Sequence, residues 1–301
     1  TPELAIPGYS LEDRIFWPDI ARRSWDALEE LAARCENITV LLGLPVLHNS
    51  MVFNAAALVS NRTIHGLVLK KYLPTYSIFY EARNWTSWPG GVTTIHGVPA
   101  GDLVFRLPFG MVSAEICEDL WSTASPARER VHAGAEIVCN PSASPFTPRK
   151  NEDRKRLVLS AAANMKCVYA YANLLGCDNS RLVFDGGGLI ATPIGLAGEG
   201  PILSERSWTL ATAVVDLGEV ERMRMENWTW RQEAGALIAN QHIGVIDASQ
   251  APFVQAPLRA YAQQQPESYY VPPARPRQHD CNPALDELFD ALALGLRDYF
   301  E

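Results

Sequence analysis

The alternation of strand-like and helix-like stretches constrains the fold of this chain more than any other feature of its sequence. Short apolar runs recur between longer segments that carry apolar residues at helical spacing. Because sheets and helices each bury one face, this alternation predicts an α/β protein built from packed layers. The predicted strands are 38–44, 52–60, 63–69, 111–116, 136–140, 167–173, 189–192 and 209–216, and the predicted helices include 125–133 and 149–165.

Local signals add one helix and two turns. The segment from Pro18 to Cys35 is predicted to be an amphipathic helix. Asn61-Arg62 separates two strand-like runs and predicts a hairpin that delivers Lys70 to the end of a strand. The run 186–188 is three glycines without the flanks of a phosphate loop, so it predicts a turn between strands. The apolar face of the predicted helix comprises Ile20, Ala27, Leu28, Leu31 and Cys35.

Cys117 ends an apolar, strand-like run and stands beside acidic residues, in the phrase AEICEDLW. A cysteine at such a strand end can present its sulfur to a cleft, where the thiolate is a strong nucleophile. Core packing is the alternative interpretation, because free cysteine is among the most buried residue types. Asn140 and Asn173 also follow strand-like runs, and we expect the three loops to meet at one rim of a sheet.

Composition excludes several classes of protein. The 301 residues are 48% hydrophobic and 20% charged, which is enough apolar material for a large core. A net charge of -8 argues against a surface for nucleic acid or anionic membranes. No apolar run is long enough to cross a bilayer. The six cysteines and six histidines show no metal-ligand spacing, so we predict no metal and reduced thiols in the cytoplasm.

Two more residues stand in unusual surroundings, and with Cys117 they match a known pattern. Glu3 lies among apolar residues before a Pro-Gly turn, and Lys70 ends an apolar run. The set resembles the catalytic glutamate, lysine and cysteine of the nitrilase superfamily of carbon-nitrogen hydrolases, in that chain order. Within it, the chain is most similar to the glutaminase domain of glutamine-dependent NAD synthetase. The similar phrases, within roughly residues 1–235, are PELAIPGY, KKYLPTYSIFYEAR, EICEDLW, NPSASPF and LVFDGGG.

The resemblance implies a nitrilase-like α-β-β-α sandwich over residues 1–248. In the family, a strand, a helix and a second strand precede the catalytic glutamate, so we expect these elements upstream of Glu3. Residues 249–281 are rich in Pro, Gln, Ala and Tyr and predict an extended linker. By resemblance, residues 282–301 are the first helix of a truncated NAD synthetase domain. Its apolar stripe, with no core to join, is Leu285, Leu288, Phe289, Leu292 and Leu296.

The implied activity is hydrolysis of the side-chain amide of glutamine to glutamate and ammonia through a cysteine thioester. Cys117 is the implied nucleophile and Glu3 the general base. The implied lysine is Lys70 and not Lys71, because the family lysine stands three residues before the leucine of a Leu-Pro pair. Its ammonium and the backbone N–H of Glu118 are expected to hold the oxyanion. Glu81 is implied to support the lysine, and the implied substrate-binding residues are Tyr76, Glu118, Trp121, Ser144 and Lys150.

The implied partner is a synthetase domain, in the same chain or a neighbouring subunit, that uses the ammonia to amidate deamido-NAD. ATP and Mg²⁺ are expected only for that domain, whose SGGxDS phrase is absent from this sequence, and no cofactor is expected for the glutaminase. The resemblance also implies a homo-oligomer. Neither nucleic acid nor a membrane is an expected partner.

Three other interpretations remain open at this point. The first is a free-standing amidase of the same superfamily that acts on another amide or on a carbamoyl compound. The second is a papain-like hydrolase that pairs Cys117 with His132. The third is a non-enzymatic scaffold in which Cys117 is inert.

Overall fold

The computed structural model describes residues 1–177, 182–238, 242–250 and 283–300. Within these ranges the chain forms two large sheets that pack face to face, with helices on their outer faces. This layering confirms the predicted α-β-β-α sandwich. The segment 251–282, which holds most of the predicted linker, lies outside the described residues, so the proposed domain boundaries stay predictions.

The first sheet has five strands in the order β1-β2-β3-β5-β4. Asn61 and Arg62 both adopt positive φ angles, of 45° and 65°, in the turn between β2 and β3. These angles suit the twist of a tight hairpin and confirm the predicted turn. The strand bounds are β1 Thr39–His48, β2 Met51–Ser60, β3 Thr63–Leu69, β4 Val92–Ile95 and β5 Val98–Gly101.

The second sheet has seven strands in the order β13-β12-β9-β8-β7-β6-β14, and β10 pairs with β11 separately. β7, β8 and β9 run parallel, so their carboxyl ends meet at one edge. The bounds are β6 Leu103–Leu107, β7 Gly110–Ala114, β8 Ile137–Ser142, β9 Val168–Asn173, β10 Leu175–Cys177, β11 Val183–Asp185, β12 Gly188–Thr192, β13 Gly195–Glu199 and β14 Gly244–Asp247.

Seven helices and two short 3-10 helices complete the described residues. α1 covers the first sheet, while α3 and α4 cover the second. Between the sheets, Leu58 and Val68 pack against Leu103 and Phe105. The bounds are α1 Pro18–Ala32, α2 Glu81–Asn84, α3 Pro126–His132, α4 Lys150–Met165, α5 Leu217–Glu226, α6 Trp228–Ile238 and α7 Pro283–Phe300, with 3-10 helices at Glu12–Phe16 and Cys117–Trp121.

Helix α1 is present, but its predicted apolar face is rotated. Of the five residues assigned to that face only Leu28 is fully buried, and Leu31 is 39% exposed. The bulky indole of Trp25 packs onto the first sheet, so the buried face of α1 includes Trp25 and excludes Leu31. The buried positions are therefore Ala21, Ser24, Trp25, Leu28 and Ala32.

The predicted strand 209–216 is wrong, because this segment pairs with no strand in the described structure. A Cβ added to Gly198 would lie 2.7 Å from the carbonyl oxygen of Thr212, and one added to Gly188 would lie 2.9 Å from Ala211 Cβ. Cβ positions stand perpendicular to a sheet, so the segment crosses the glycine-lined face of β12 and β13. Its alternating exposure reflects contact with that face. By contrast, Gly186 and Gly187 join β11 to β12, as predicted.

Helix α7 packs through a different face from the predicted apolar stripe. Ala291 and Leu294 are buried against Leu175 and Val183 of the β10–β11 pair. The helix therefore does join a small core, contrary to the expectation that none was available. The predicted stripe faces away from this contact and is exposed: Leu285, Leu288, Phe289, Leu292 and Leu296.

Candidate active site

Glu3 is held against the first sheet by a close backbone contact. A Cβ added to Gly43 of β1 would lie 2.3 Å from the backbone nitrogen of Leu4, so only glycine leaves room for this turn. The N–H of Ile6 donates to the carbonyl of Gly43 at 3.0 Å and fixes the turn on the strand. The Glu3 side chain is fully buried as a result.

Lys70 follows the last residue of β3, and its ammonium is fully buried. Its Nζ donates to Glu3 Oε1 at 2.6 Å and to Glu81 Oε2 at 2.8 Å. Lys71, the next residue, instead forms an ion pair with Asp102 at 3.0 Å. Because side chains alternate along an extended chain, only one lysine of the pair can face the carboxylates, and that lysine is Lys70.

Three groups that the sequence analysis missed hold the two carboxylates. Asn54 Nδ2 donates to Glu3 Oε1 at 2.7 Å, and the N–H of Ala143 donates to Glu3 Oε2 at 3.1 Å. The hydroxyl of Tyr9 donates to Glu81 Oε1 at 2.6 Å. Asn54 had a signal in the sequence, since it is a lone amide inside the apolar strand MVFNAAALVS. A backbone N–H carries no such signal.

Cys117 lies at the carboxyl edge of the second sheet, at the start of the 3-10 helix after β7. Its φ angle is +47°, a region that costs a residue other than glycine of order 1–3 kcal/mol and that is concentrated at functional sites. The residue is 7% exposed and packs against Ile116 and Ala56. The N–H of Ala143, which donates to Glu3, also lies close enough to the Cys117 sulfur to act against the raised pKa of its thiol.

Burial and the two carboxylates set the ionisation of this cluster. Burial raises the pKa of the Cys117 thiol and the Glu3 carboxylate raises it further, whereas the Lys70 ammonium opposes both effects. Burial alone would lower the pKa of Lys70, but Glu3 and Glu81 hold it well above its ordinary value. Burial raises the pKa of Glu81 to about 7 against the opposing charge of Lys70. The site therefore combines a charged lysine with a neutral thiol.

We accordingly expect the Cys117 thiol of the unliganded protein to be protonated at about pH 7. The sign follows from the raised pKa, since the thiolate fraction falls as the pKa rises above the solution pH. The measurement is the ultraviolet thiolate absorbance of the protein minus that of Cys117→Ala, followed as the pH is raised. A thiolate signal already complete at neutral pH would contradict this expectation.

Four of the predicted substrate-binding residues lie in or against the 3-10 helix that Cys117 begins: Tyr76, Glu118, Trp121 and Lys150. The Tyr76 hydroxyl donates to Glu118 Oε1 at 3.0 Å, and Glu118 follows Cys117 directly. Lys150 begins α4 with its Nζ 6.0 Å above the ring of Trp121. Burial and the nearby Arg154 lower the pKa of Lys150, and a Cys117 thiolate would raise it, which places Lys150 within electrostatic range of the sulfur. An acid and a base thus flank the cysteine.

Ser144, the fifth predicted substrate-binding residue, is buried in a rigid network. Arg154 donates to the Ser144 carbonyl at 2.8 Å and forms an ion pair with Asp185 at 2.6 Å. Asn173 accepts from the Ser144 N–H at 2.8 Å and donates to its carbonyl at 3.0 Å. This network joins the loop after β8 to the carboxyl end of β9, and Asn140 and Asn173, which were predicted to follow strands, lie within β8 and β9. The network fixes the loop that carries the Ala143 N–H.

His132, the partner of Cys117 in the papain-like alternative, lies elsewhere. Its ring packs against Trp230 at 5.4 Å, and its Nε2 is 3.8 Å from Glu233. Burial lowers the pKa of His132, and the charges acting on it come from Glu233, Glu129 and two arginines, whereas the charges acting on Cys117 come from Glu3, Lys70 and Glu81. The charged neighbours of Cys117 are therefore Glu3 and Lys70, and His132 has a different set.

Three further features concern only the described part of the chain. No cluster of three or more His, Cys, Asp or Glu side chains there could hold a metal ion. No helix within the same ranges is long and apolar enough to span a bilayer. Within these ranges Cys35, Cys117, Cys139 and Cys167 are free thiols, and Cys281 falls outside the described residues.

A family model described as carbon-nitrogen hydrolase matches residues 1–225. The glutamine-dependent NAD(+) synthetase of Mycobacterium tuberculosis strain H37Rv is 33% identical over 208 residues, which are 63% of this chain and 31% of that protein. The synthetase of Aquifex aeolicus is 30% identical over 234 residues, which are 77% of this chain and 38% of that protein. The chain thus spans about a third of the length of such curated relatives.

A solved structure supports the same assignment. A glutamine-dependent NAD(+) synthetase from Cytophaga hutchinsonii superposes with a TM-score of 0.66 and 33% identity, covering 71% of this chain and 36% of that one. Since the family model matches well over half of the residues of this chain, the chain belongs to the carbon-nitrogen hydrolase family.

Proposed function

We propose that this carbon-nitrogen hydrolase is a glutaminase, which hydrolyses the side-chain amide of glutamine to glutamate and ammonia. The observation that carries the proposal is the buried cluster at Cys117, in which one lysine ammonium bridges Glu3 and Glu81 beside the thiol. Relatives about a third identical are named glutamine-dependent NAD synthetases, which supports glutamine as the substrate. Alone, the cluster supports amide hydrolysis in general.

Acylation begins with transfer of the thiol proton of Cys117 to Glu3. Glu3 Oε1 already accepts from Asn54 and Lys70, so Oε2, which accepts the N–H of Ala143, is assigned as the basic atom. The sulfur attacks the amide carbon, and the developing oxyanion is held by the Lys70 ammonium and the Glu118 N–H. The protonated Glu3 then gives its proton to the nitrogen, and ammonia leaves a thioester.

Deacylation reuses the same base. Glu3 takes a proton from a water molecule, whose oxygen attacks the thioester carbon. The second oxyanion forms in the same position as the first, and its collapse breaks the carbon–sulfur bond. Glutamate leaves as the acid, and the proton on Glu3 returns to the Cys117 sulfur.

The raised pKa of Cys117 changes how the lysine contributes. Without substrate, burial and Glu3 raise the pKa of Cys117, and the Lys70 ammonium only partly offsets this rise. Lys70 therefore does not by itself generate a thiolate in the resting protein. Proton transfer to Glu3 then accompanies attack. The two carboxylates keep Lys70 charged, and that charge acts on the oxyanion once it appears.

Recognition of glutamine is assigned to the charged groups at the mouth. Glu118, oriented by Tyr76, suits the α-ammonium of the substrate, and Lys150 suits its α-carboxylate. Trp121 and Ser144 complete the wall of this pocket in the proposal. Both charged groups are needed, because free glutamine carries both charges whereas simple amides carry neither.

The ammonia is proposed to pass to a synthetase domain, in the same chain or in a neighbouring subunit of a homo-oligomer. There it would amidate deamido-NAD in a reaction that uses ATP and Mg²⁺, in the cytoplasm. Relatives named as synthetases and about three times longer than the matched region support this step.

The second candidate is an amidase for another amide or a carbamoyl compound. It remains a candidate because the Glu3, Lys70 and Glu81 cluster beside the thiol is not by itself specific for glutamine.

The test compares the full-length protein on glutamine, asparagine, acetamide and an N-carbamoyl amino acid. We expect glutamate and ammonia in equal amounts from glutamine, and γ-glutamyl hydroxamate when hydroxylamine intercepts the thioester. We also expect kcat/KM for glutamine to exceed that for acetamide by about 10²-fold or more, since two charge-assisted contacts are lost. A comparable or higher kcat/KM on another amide would favour the amidase.

A further inference from the structure

Asp119 lies two residues beyond Cys117, in the 3-10 helix that the cysteine begins, and it is fully buried. Its Oδ2 accepts the N–H of Ile116 at 2.9 Å. Ile116 is the residue directly before Cys117. One side of the Asp119 carboxylate therefore fixes the turn that gives the nucleophile its positive φ angle.

The other oxygen of Asp119 reaches a different part of the chain. Its Oδ1 accepts the N–H of Tyr72 at 2.8 Å and that of Lys71 at 3.2 Å. Lys71 directly follows Lys70. A single buried carboxylate thus bonds to the backbone beside the nucleophile and to the backbone beside the lysine.

We propose that Asp119 is a positioning residue, which sets the distance between the Lys70 ammonium and the Cys117 sulfur. The effect of Asp119 on glutamine turnover rests on the proposed function, but its effect on the reactivity of the Cys117 thiol does not. All three partners are N–H donors, so the task requires two acceptor oxygens. An asparagine would offer one oxygen and turn its NH₂ group toward a donor.

Burial raises the pKa of Asp119 to about 7, and the N–H groups of Ile116 and Tyr72 oppose this, so these donors favour the ionised carboxylate. Burial also excludes water that would compete for the hydrogen bonds, which keeps the linkage rigid. Displacement of a reacting group by about 1 Å can cost about 10²-fold in rate. Loss of one side of the Asp119 bridge would release the lysine segment or the cysteine turn.

The first measurement is the second-order rate constant for alkylation of Cys117 by iodoacetamide, followed by mass spectrometry in the full-length protein. In Asp119→Asn we expect this rate to fall by about ten-fold or more, together with kcat for glutamine. The matched control for lost stability is Val220→Ala, which opens a cavity beside helix α5. It should leave the alkylation rate and kcat within about two-fold of the unmodified protein.

A double-mutant cycle separates positioning from general destabilisation. In a Lys70→Gln background, we expect Asp119→Asn to slow alkylation by less than about two-fold, because the group that it positions is gone. Equal slowing in both backgrounds, or no slowing in the folded single variant, would overturn the proposal. Should Asp119→Asn fail to fold by circular dichroism, Asp119→Glu keeps both oxygens on a longer side chain and is tested in the same cycle.

The two proposals fail separately. If the unmodified protein does not hydrolyse glutamine while the alkylation cycle behaves as expected, the glutaminase assignment is wrong and the positioning role stands. If glutamine is hydrolysed and Asp119→Asn alkylates normally, the reverse holds.

Discussion

Replacing Cys117 by alanine is expected to lower kcat for glutamine hydrolysis by about 10⁴-fold or more, to near the background rate. The reason is chemical, because no thioester can form without the sulfur. Circular dichroism should show an unchanged fold, since alanine fits the small buried position beside Ile116 and Ala56. The substitution should also leave the ion pairs of Lys70 with Glu3 and Glu81 intact, because Cys117 takes no part in them.

The matched control is Cys167→Ala, which removes another fully buried thiol of the same size. Burial raises the pKa of Cys167 to about 12, and the residue lies in the core beneath the helices on the second sheet. We expect its kcat to stay within about two-fold of the unmodified protein. An electrophilic glutamine analogue should label the control on Cys117 and leave Cys117→Ala unlabelled. Glutamine hydrolysis that survives in Cys117→Ala would remove the central assumption of the proposed mechanism.

The positions of the three proposed catalytic residues along the chain were predictable, because each depends on a local strand end or turn. Lys70 follows β3, which the Asn61-Arg62 turn anticipates, and Cys117 follows β7. These signals reside in adjacent residues, so a single sequence contains them. The choice between Lys70 and Lys71 came from the family resemblance. In the structure the same choice follows from the alternation of side chains, since Lys71 points to Asp102 and Lys70 to Glu3 and Glu81.

Features that depend on contacts between distant segments were not predictable in the same way. The segment 209–216 alternates in burial like a strand, yet contact with Gly188 and Gly198 causes that pattern. The exposed stripe of α7 and the rotated face of α1 show the same difficulty, since periodicity gives a helix but not its partner. Strands β4 and β5 were missed because each is only four residues long, and β5 also contains Pro99 and Gly101, residues that weaken a strand pattern.

The polar groups that organise the site were also missed. Asn54, Tyr9 and Asp119 are residue types that are usually exposed or structural, and their burial is known only from the fold. Their roles come from geometry: each donates to or accepts from a group adjoining the three proposed catalytic residues. The sequence thus predicted the proposed reacting side chains and omitted those that hold them in place.

Glu3→Gln is the second large effect, with an expected fall in kcat/KM for glutamine of about 10²- to 10⁴-fold. The amide has nearly the shape of the carboxylate but cannot accept the thiol proton at Oε2. It also removes one of the two charges that balance Lys70, which leaves Glu81 as its remaining partner in direct contact. Breaking a buried ion pair typically costs about 3–5 kcal/mol, so the free energy of unfolding should fall as well.

The pH dependence gives this prediction its sharpest test. In the unmodified protein Cys117 has a raised pKa, so turnover near neutral pH requires Glu3 to take the proton. Without that base, residual activity depends on solvent deprotonation of the thiol and should increase with rising pH. The control is Glu199→Gln, which makes the same exchange in the ion pair between Glu199 of β13 and Lys155 of α4. It should keep the pH–activity profile of the unmodified protein. A Glu3→Gln variant with an unchanged pH profile and a loss below about ten-fold would show that another group is the base.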